Sequence, residues 1–185
     1  MNTQQLYFVA PGQVDIRNQQ LKPLQANEIL LTSLYSGISA GTEMLVYRGQ
    51  LPDDMVLDES LAAFSAQKIN YPLQYGYACV ARVEKIGEQV DAAWLGKTVF
   101  SFQPHGSHHV CTTDAVVPLP EGVDPKAAVS LANMETAVNL VQDASPSIGE
   151  RVVVLGLGIV GLLASSVLAK FPLAGLYGVE SLSGR

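Results

Sequence analysis

The pattern of hydrophobic and polar residues changes near residue 120. Before that point, β-branched and aromatic residues form short runs that are separated by Gly, Pro and Asn. In ACVARVEK the set Cys79, Ala81 and Val83 alternates with Val80, Arg82 and Glu84, which predicts a strand with one buried face. We predict strands over 29–37, 78–87, 97–102 and 109–120, and a small barrel-like β domain built from them.

After Pro118-Leu119-Pro120 the pattern becomes helical. Residues 126–144 have helical propensity, with Ala128, Leu131, Ala132, Glu135 and Val138 at helical spacing. Residues 152–155 then predict a strand buried on both faces, 159–170 a helix and 176–180 a second strand. We therefore predict a mixed α/β chain with a β domain over 1–125, followed by a connecting helix and a βαβ unit over 126–185.

Residues 50–70 interrupt the rhythm of short strands. QLPDDMVLDESLAAFSAQKIN places four acidic side chains around a possible short helix over Leu61–Ala66. A long excursion between strands of a compact domain is often a functional loop. An exposed spacer explains the same composition equally well.

Composition narrows the class of ligand. The 185 residues are 48% hydrophobic, carry a net charge of -6 and include only 11 Lys and Arg, which do not cluster. A surface that binds nucleic acid needs clustered basic side chains, so we expect a small-molecule substrate and no nucleic acid. The N-terminus does not resemble a signal peptide and no apolar run approaches the ~18 residues of a membrane helix, which predicts a cytoplasmic protein without membrane attachment. Cys79 and Cys111 lie in strand-like runs and are predicted to be reduced core residues.

The stretch VVVLGLGIVGLLAS, residues 152–165, contains the pattern GxGxxG between a predicted strand and a predicted helix. Gly156 would permit the tight turn, Gly158 would let the backbone approach a pyrophosphate, and Gly161 would let the helix pack closely on its strand. The first helical residues, Ile159 and Val160, would offer free N–H groups to that anion. A structural glycine turn without a ligand remains the alternative.

Glu180 ends the second strand of this unit, nineteen positions after Gly161. At that place a carboxylate can accept hydrogen bonds from an adenosine ribose and repels a 2′-phosphate, which favours NAD as the cofactor. NADP stays possible, because Ser181, Ser183 and Arg185 follow at once and could serve a 2′-phosphate.

With both halves considered, the chain resembles the medium-chain dehydrogenase/reductase superfamily of the zinc alcohol dehydrogenase type. YSGISAGTEMLVYRG, residues 35–49, is similar to the segment that carries the first zinc cysteine of that family, and residues 71–100 are similar to its P-x-x-x-G-H-E segment and the following V-G-D-R-V turn. The resemblance covers nearly all 185 residues. It implies a GroES-like β-barrel domain followed by the first βαβ unit of an incomplete Rossmann fold.

The sequence departs from that family at the zinc ligands. Ser39 or Ala40 stands where the family has its cysteine, Tyr77 where it has histidine, and Ala132 at the third ligand position. Ser, Tyr and Ala cannot form the tetrahedral N, S and O site that Zn²⁺ needs, so we expect no zinc. The motifs SGISAGTE and ANMETA are similar to the zinc-free subgroup that includes the 2-desacetyl-2-hydroxyethyl bacteriochlorophyllide dehydrogenases.

The resemblance also implies which residues carry the reaction. Thr42 matches the hydroxyl that relays the proton in family members, and Tyr77 could donate a hydrogen bond to a developing alkoxide. Glu135 could orient either group. Each has a structural alternative: a turn hydroxyl for Thr42, a cavity-filling aromatic ring for Tyr77 and a helix-surface carboxylate for Glu135.

His105, His108, His109 and Cys111 form a rival metal hypothesis. Neighbouring residues of a strand point to opposite faces, so His108 and His109 could not both bind one ion without distortion. We therefore expect a structural role for this segment and no metal site.

The second predicted strand is the last element before Arg185. Since a family member would continue with further Rossmann strands, we expect the chain to be a truncated N-terminal fragment that is inactive alone. A two-stranded sheet cannot cover both its faces, so apolar surface should be exposed at Leu155, Leu162, Leu163, Val167 and Leu168.

Two functions from different classes are consistent with the sequence. The first is a zinc-independent NAD(P)-dependent oxidoreductase that acts on an alcohol or carbonyl substrate, with a full-length form that is a homo-oligomer. The second is a non-catalytic protein that retains the dehydrogenase fold to bind a ligand or a partner.

Overall fold

The computed structural model describes residues 1–51 and 70–182, and the chain divides into two compact units, Met1–Val129 and Ser130–Arg185. The possible helix over Leu61–Ala66 lies outside the described residues. No helix within the described ranges is long and apolar enough to cross a membrane.

The first unit is built on a curled antiparallel sheet with the strand order β6-β3-β4-β5-β7. Its strands are β3 (Glu28–Ser36), β4 (Cys79–Ile86), β5 (Thr98–Ser101), β6 (His108–Thr112) and β7 (Val116–Pro118). The strands predicted over 29–37, 78–87 and 97–102 are confirmed. The run 109–120 forms two strands instead of one, because a short 3-10 turn over Thr113–Ala115 separates β6 from β7.

The core of this sheet contains alternate residues of the central strands. Ile29, Leu31, Cys79, Ala81 and Val83 are almost fully buried together. The alternation predicted for β4 is wrong at one position: Arg82 and Glu84 are exposed, but Val80 is buried. Val80 pairs with the buried Phe100 of β5, so both faces of the sheet are covered at this end of β4.

Two elements of the first unit were not predicted. A hairpin of β1 (Asn2–Ala10) and β2 (Gln13–Gln20) turns at Pro11-Gly12, and its β1 strand donates backbone hydrogen bonds to the carbonyls of Leu73 and His105. A seven-residue helix, α1 (Thr42–Arg48), follows β3 and buries Glu43 and Val46. Seven residues are too few for a periodic apolar pattern to predict a helix.

The single helix predicted over 126–144 is two helices. Asp124 caps α2 (Pro125–Ala128) by accepting a hydrogen bond from the Lys126 N–H, and α3 (Leu131–Ala144) starts after a break at Val129 and Ser130. The four-residue α2 therefore lies in the first unit and α3 in the second.

The second unit contains the predicted strand, helix and strand. Strand β8 (Arg151–Leu155) pairs in parallel with β9 (Gly175–Val179), and helix α4 (Ile159–Leu168) connects them. Its core joins Ala137 and Val141 of α3 to Ala164 and Leu168 of α4. The predicted mixed α/β fold class is confirmed.

The burial predicted for β8 is wrong. Val152 and Val154 pack against the helices, but Val153 is 54% and Leu155 79% exposed, since α3 and α4 cover one face of the two-stranded sheet in the described part of the chain. Leu155 and Leu162 are exposed as predicted. Leu168 is not, because it packs against α3.

Candidate functional site

The glycine turn joins β8 to α4. Gly156 has a φ of +86°, and its N–H donates to the carbonyl of Val179 at 2.8 Å, which ties the turn to the end of β9. Gly158 is the N-cap of α4, and no side chain caps the helix. The first amides of α4, at Ile159 and Val160, are thus left for water or for a ligand.

The third glycine is required by the backbone itself. A Cβ atom built on Gly161 would lie 2.0 Å from the carbonyl oxygen of Gly156, and no flexible side chain is there to move aside. The helix therefore passes directly over the turn.

Glu180 holds the turn from the other strand. Its carboxylate accepts hydrogen bonds from the N–H groups of Leu157 at 2.9 Å, Ser181 at 2.8 Å and Leu182 at 3.0 Å. It is partly buried. Its predicted role in holding a ribose stays a prediction.

The three predicted catalytic residues lie in different settings. Thr42 is exposed at the first position of α1, and its N–H donates to Ser39 Oγ at 3.2 Å. Tyr77 is half-buried and packs edge to face on Tyr75, with 6.3 Å between the ring centres. Glu135 is exposed on α3 and belongs to the second unit. Their catalytic roles stay predictions.

Sequence reasoning missed a connected polar cluster beside two of these residues. The Nε2 atom of His105 lies 2.6 Å from Oε2 of Glu43, and its Nδ1 atom is in hydrogen-bond contact with the hydroxyl of Ser36. The other oxygen of Glu43, Oε1, accepts a hydrogen bond from the Ser39 N–H at 2.9 Å. We call Ser36, His105 and Glu43 the serine–histidine–glutamate chain.

Members of the serine–histidine–glutamate chain lie next to Thr42 in the sequence and close to the residue before Tyr77. Thr42 precedes Glu43, and Tyr77 follows Gly76, whose backbone lies against the His105 ring. Gly76 has a φ of +137°, and a Cβ atom there would approach the imidazole to 3.0 Å, so only glycine fits. One signal could have been found in the sequence: Glu43 lies three residues before Val46, on the buried side of α1.

The hypothesis of a metal site between His105 and Cys111 can be compared with the arrangement of the side chains. Within residues 1–51 and 70–182, no three His, Cys, Asp or Glu side chains group as metal ligands. Burial lowers the pKa of His109 to about 4 and raises the pKa of Cys111 to about 11. The pKa of Cys79 is also raised by burial. Both cysteines are thus buried strand residues that resist ionisation, as expected for core positions.

No protein-family model and no curated protein matches the chain in sequence. Solved structures do match its fold. The chain superimposes on a short chain alcohol dehydrogenase of Escherichia coli CFT073, in complex with NADH, with a TM-score of 0.78 and 17% identity, over 98% of this chain and 58% of that one.

Two further structures give the same result. CurK enoyl reductase matches with a TM-score of 0.73 and 22% identity, over 97% of this chain and 55% of that one. CAD of Helicobacter pylori, in complex with NADP(H), matches with a TM-score of 0.74 and 11% identity, over 96% and 58%. The chain spans less than two thirds of each of these proteins. It has, over that length, the mixed α/β fold of the medium-chain dehydrogenase/reductase enzymes, in which a GroES-like unit precedes a Rossmann unit.

Proposed function

We propose that the protein is a zinc-independent, NAD(P)-dependent oxidoreductase that moves a hydride between a nicotinamide and an alcohol or carbonyl compound. The glycine turn carries the proposal. A Cβ atom on Gly161 would lie 2.0 Å from the Gly156 carbonyl oxygen, so the helix packs directly on the turn. The first amides of the helix have no side-chain cap, and the Glu180 carboxylate accepts a hydrogen bond from the turn. The fold is that of proteins solved with NADH or NADP(H) bound, which supports the assignment.

The residues of the turn fit a dinucleotide. A Cβ atom on Gly156 would meet nothing within 4 Å, so the turn is open there, and we propose that a diphosphate lies over it. The amides of Ile159 and Val160 supply donors and the positive end of the helix dipole. Glu180 is the proposed ribose acceptor and the reason that we favour NAD over NADP.

A bound nicotinamide supplies the hydride donor or acceptor, and the chain's own residues manage the proton. Tyr77 is proposed to donate a hydrogen bond to the substrate oxygen, where charge develops as the carbonyl is reduced. Thr42 is proposed to exchange the proton with that oxygen, and Glu135 to orient these groups.

The zinc-free assignment depends on donor chemistry. By resemblance, the positions that match the ligands of zinc dehydrogenases are Ser39 or Ala40, Tyr77 and Ala132, and the side chain of alanine has no donor atom. Ser39 also uses its hydroxyl to accept the N–H of Thr42. On these grounds we place the protein with the zinc-free subgroup that includes the bacteriochlorophyllide dehydrogenases.

Other properties of the whole protein are extensions of this proposal. Because its structural neighbours are longer, we propose that the 185 residues alone turn over little or no substrate. We also propose that the full-length form is a homo-oligomer with a cytoplasmic location.

Coenzyme binding tests the proposed function. In the complete gene product we expect submillimolar binding of NADH, followed by fluorescence, and its oxidation with some member of a panel of aldehydes and ketones. Glu180→Ala should weaken NADH binding about tenfold through a lost charge-assisted hydrogen bond, while Glu150→Ala, which changes an exposed acid before β8, should not. A protein that binds another ligand tightly and never oxidises NADH or NADPH would be the non-catalytic alternative.

A further inference from the structure

The donors and acceptors of the serine–histidine–glutamate chain have a fixed direction. Glu43 is 1% exposed, and its ionised carboxylate can only accept hydrogen bonds. The 2.6 Å contact therefore requires a proton on Nε2 of His105. In a neutral imidazole this leaves Nδ1 as the acceptor, so the Ser36 hydroxyl donates to it.

The serine–histidine–glutamate chain runs from the interior of the first unit to its surface. Glu43 and His105 are both buried, at 1% and 9% exposure, whereas Ser36 is exposed at the last position of β3. The Ser36 hydroxyl is thus the accessible end of a chain in which a buried carboxylate orients an imidazole. This is the order of groups that makes a serine hydroxyl nucleophilic in hydrolases, because the imidazole accepts its proton.

We propose that Ser36 and His105 form the proton relay of the hydride-transfer reaction, with Glu43 as the positioning residue that holds the imidazole. This inference rests on the proposed oxidoreductase function and assigns the proton exchange with the substrate oxygen to Ser36 in place of Thr42. It differs from the role inferred for Thr42 by resemblance, since it follows from contacts around His105.

The backbone favours proton transfer over acyl transfer at Ser36. A serine nucleophile needs amide donors for its oxyanion, commonly including the amide next to the serine in the chain. Here the N–H of Gly37 already donates to the carbonyl of Ala78 at 2.8 Å. The Ser36 hydroxyl therefore has His105 as a base, but the neighbouring Gly37 amide already donates a hydrogen bond and is not free to stabilise an oxyanion.

The proposed step balances as follows. In alcohol oxidation a bound nicotinamide would supply the hydride acceptor, so the substrate would lose a hydride, with two electrons, and become a carbonyl. Its hydroxyl proton passes to Ser36 Oγ while the Ser36 proton passes to Nδ1 of His105. The imidazolium that forms keeps its Nε2 proton, which still donates a hydrogen bond to Glu43. Reduction of a carbonyl runs the same transfers in reverse.

A first experiment needs neither coenzyme nor substrate. Nitrogen NMR of the histidine rings in the free protein should show His105 with its proton on Nε2, and Ser36→Ala should shift the Nδ1 resonance. Ser33→Ala is the matched control on the same strand, because its hydroxyl contacts Cys79 Sγ at 3.5 Å and no histidine. A proton on Nδ1, or an Nδ1 resonance indifferent to Ser36→Ala, would overturn the proposal.

A second experiment measures the relay during turnover in the complete gene product. Ser36→Ala and His105→Gln should each lower kcat about 10²-fold to 10³-fold with substrate KM changed less than about threefold. His105→Gln keeps a donor for Glu43 but cannot accept a proton, so the pH dependence of kcat should flatten. Ser36→Thr, which keeps the hydroxyl, should recover most of the activity. Ser33→Ala and His108→Gln should leave kcat unchanged.

The outcomes separate the two proposals. If the wild-type protein oxidises NADH but Ser36→Ala and His105→Gln keep its kcat and pH profile, the relay is wrong and the oxidoreductase function stands. If the wild-type protein oxidises no coenzyme with any carbonyl of the panel, the proposed function is wrong and the relay with it. A loss in both variants with rescue by Ser36→Thr supports both.

Discussion

The two units of this protein build their candidate sites from different materials. In the second unit the glycine turn is almost entirely backbone: amides of Gly156 and Leu157 donate to Val179 and Glu180, and a glycine lets the helix pass. In the first unit the serine–histidine–glutamate chain consists of side chains. Its members come from a strand, a helix and a loop. His105 lies 62 residues from Glu43 and 69 residues from Ser36 in the sequence.

The difference determines how each site responds to change. A backbone site tolerates most side-chain substitutions and fails only where a Cβ atom intrudes. A buried side-chain network fails at any member, because removing one partner leaves another buried and unpaired. The three predictions below separate these behaviours.

His105→Ala should have the largest effect on stability. It removes the 2.6 Å partner of a carboxylate that is 1% exposed, and leaves Glu43 with the Ser39 N–H as its remaining described partner. We expect the free energy of unfolding, measured with urea, to fall by about 3 kcal/mol.

Two further variants check the cause of that loss. His108→Ala, which changes a half-buried histidine bonded to Ser107 at 2.9 Å, should cost less than about 1 kcal/mol. Adding Glu43→Gln to His105→Ala should recover part of the loss, because the buried charge is then gone. If His105→Ala is as mild as His108→Ala, the side-chain site is not the network described.

A pH titration of stability tests the burial of His109. His109 is 5% exposed, its Nε2 has no hydrogen-bond partner among the described residues, and burial lowers its pKa from 6.5 to about 4. Between those values the unfolded chain binds a proton that the folded chain does not. The contribution of His109 to the free energy of unfolding should therefore be fully present above pH 6.5. It should fall by about 3 kcal/mol as the pH is lowered to 4.

The variant His109→Leu isolates this contribution. Carboxylates titrate in the same pH range in both proteins, so the difference between their urea midpoints at pH 7 and pH 4 reports His109 alone. We expect the pH dependence to be smaller in His109→Leu by about 3 kcal/mol. Equal pH dependence in the two proteins would show that His109 is not buried as a neutral ring.

The contrast between the backbone site and the side-chain site also explains how much of each could be predicted from the sequence. The βαβ unit was predictable because its signals are local: four apolar residues, three glycines at fixed spacing and an acid at the end of the next strand. The serine–histidine–glutamate chain was not, because nothing near His105 in sequence indicates that Glu43 will lie beside it. Only the fold of the first unit brings β3, α1 and the segment before β6 together.

Errors of the sequence analysis have the same origin. The exposed Val153 and the buried Val80 are both apolar residues of strands, and their burial depends on what covers the sheet at that place. The hairpin β1–β2 was missed although Pro11-Gly12 marks its turn, because its second strand is mostly polar and carries Val14 and Ile16 exposed. Periodicity reports a face, and only packing decides whether that face is covered.

The smallest predicted effect tests the backbone site. Gly161→Ala puts a Cβ atom 2.0 Å from the Gly156 carbonyl, so the helix must shift and the turn must open, at a cost of about 1–3 kcal/mol. We expect a lower thermal midpoint and at least a tenfold weaker binding of NADH by fluorescence titration. Ser166→Ala, an exposed change on the same helix, should alter neither. An unaltered NADH affinity in Gly161→Ala would mean that the coenzyme does not contact this turn, even if the variant is less stable.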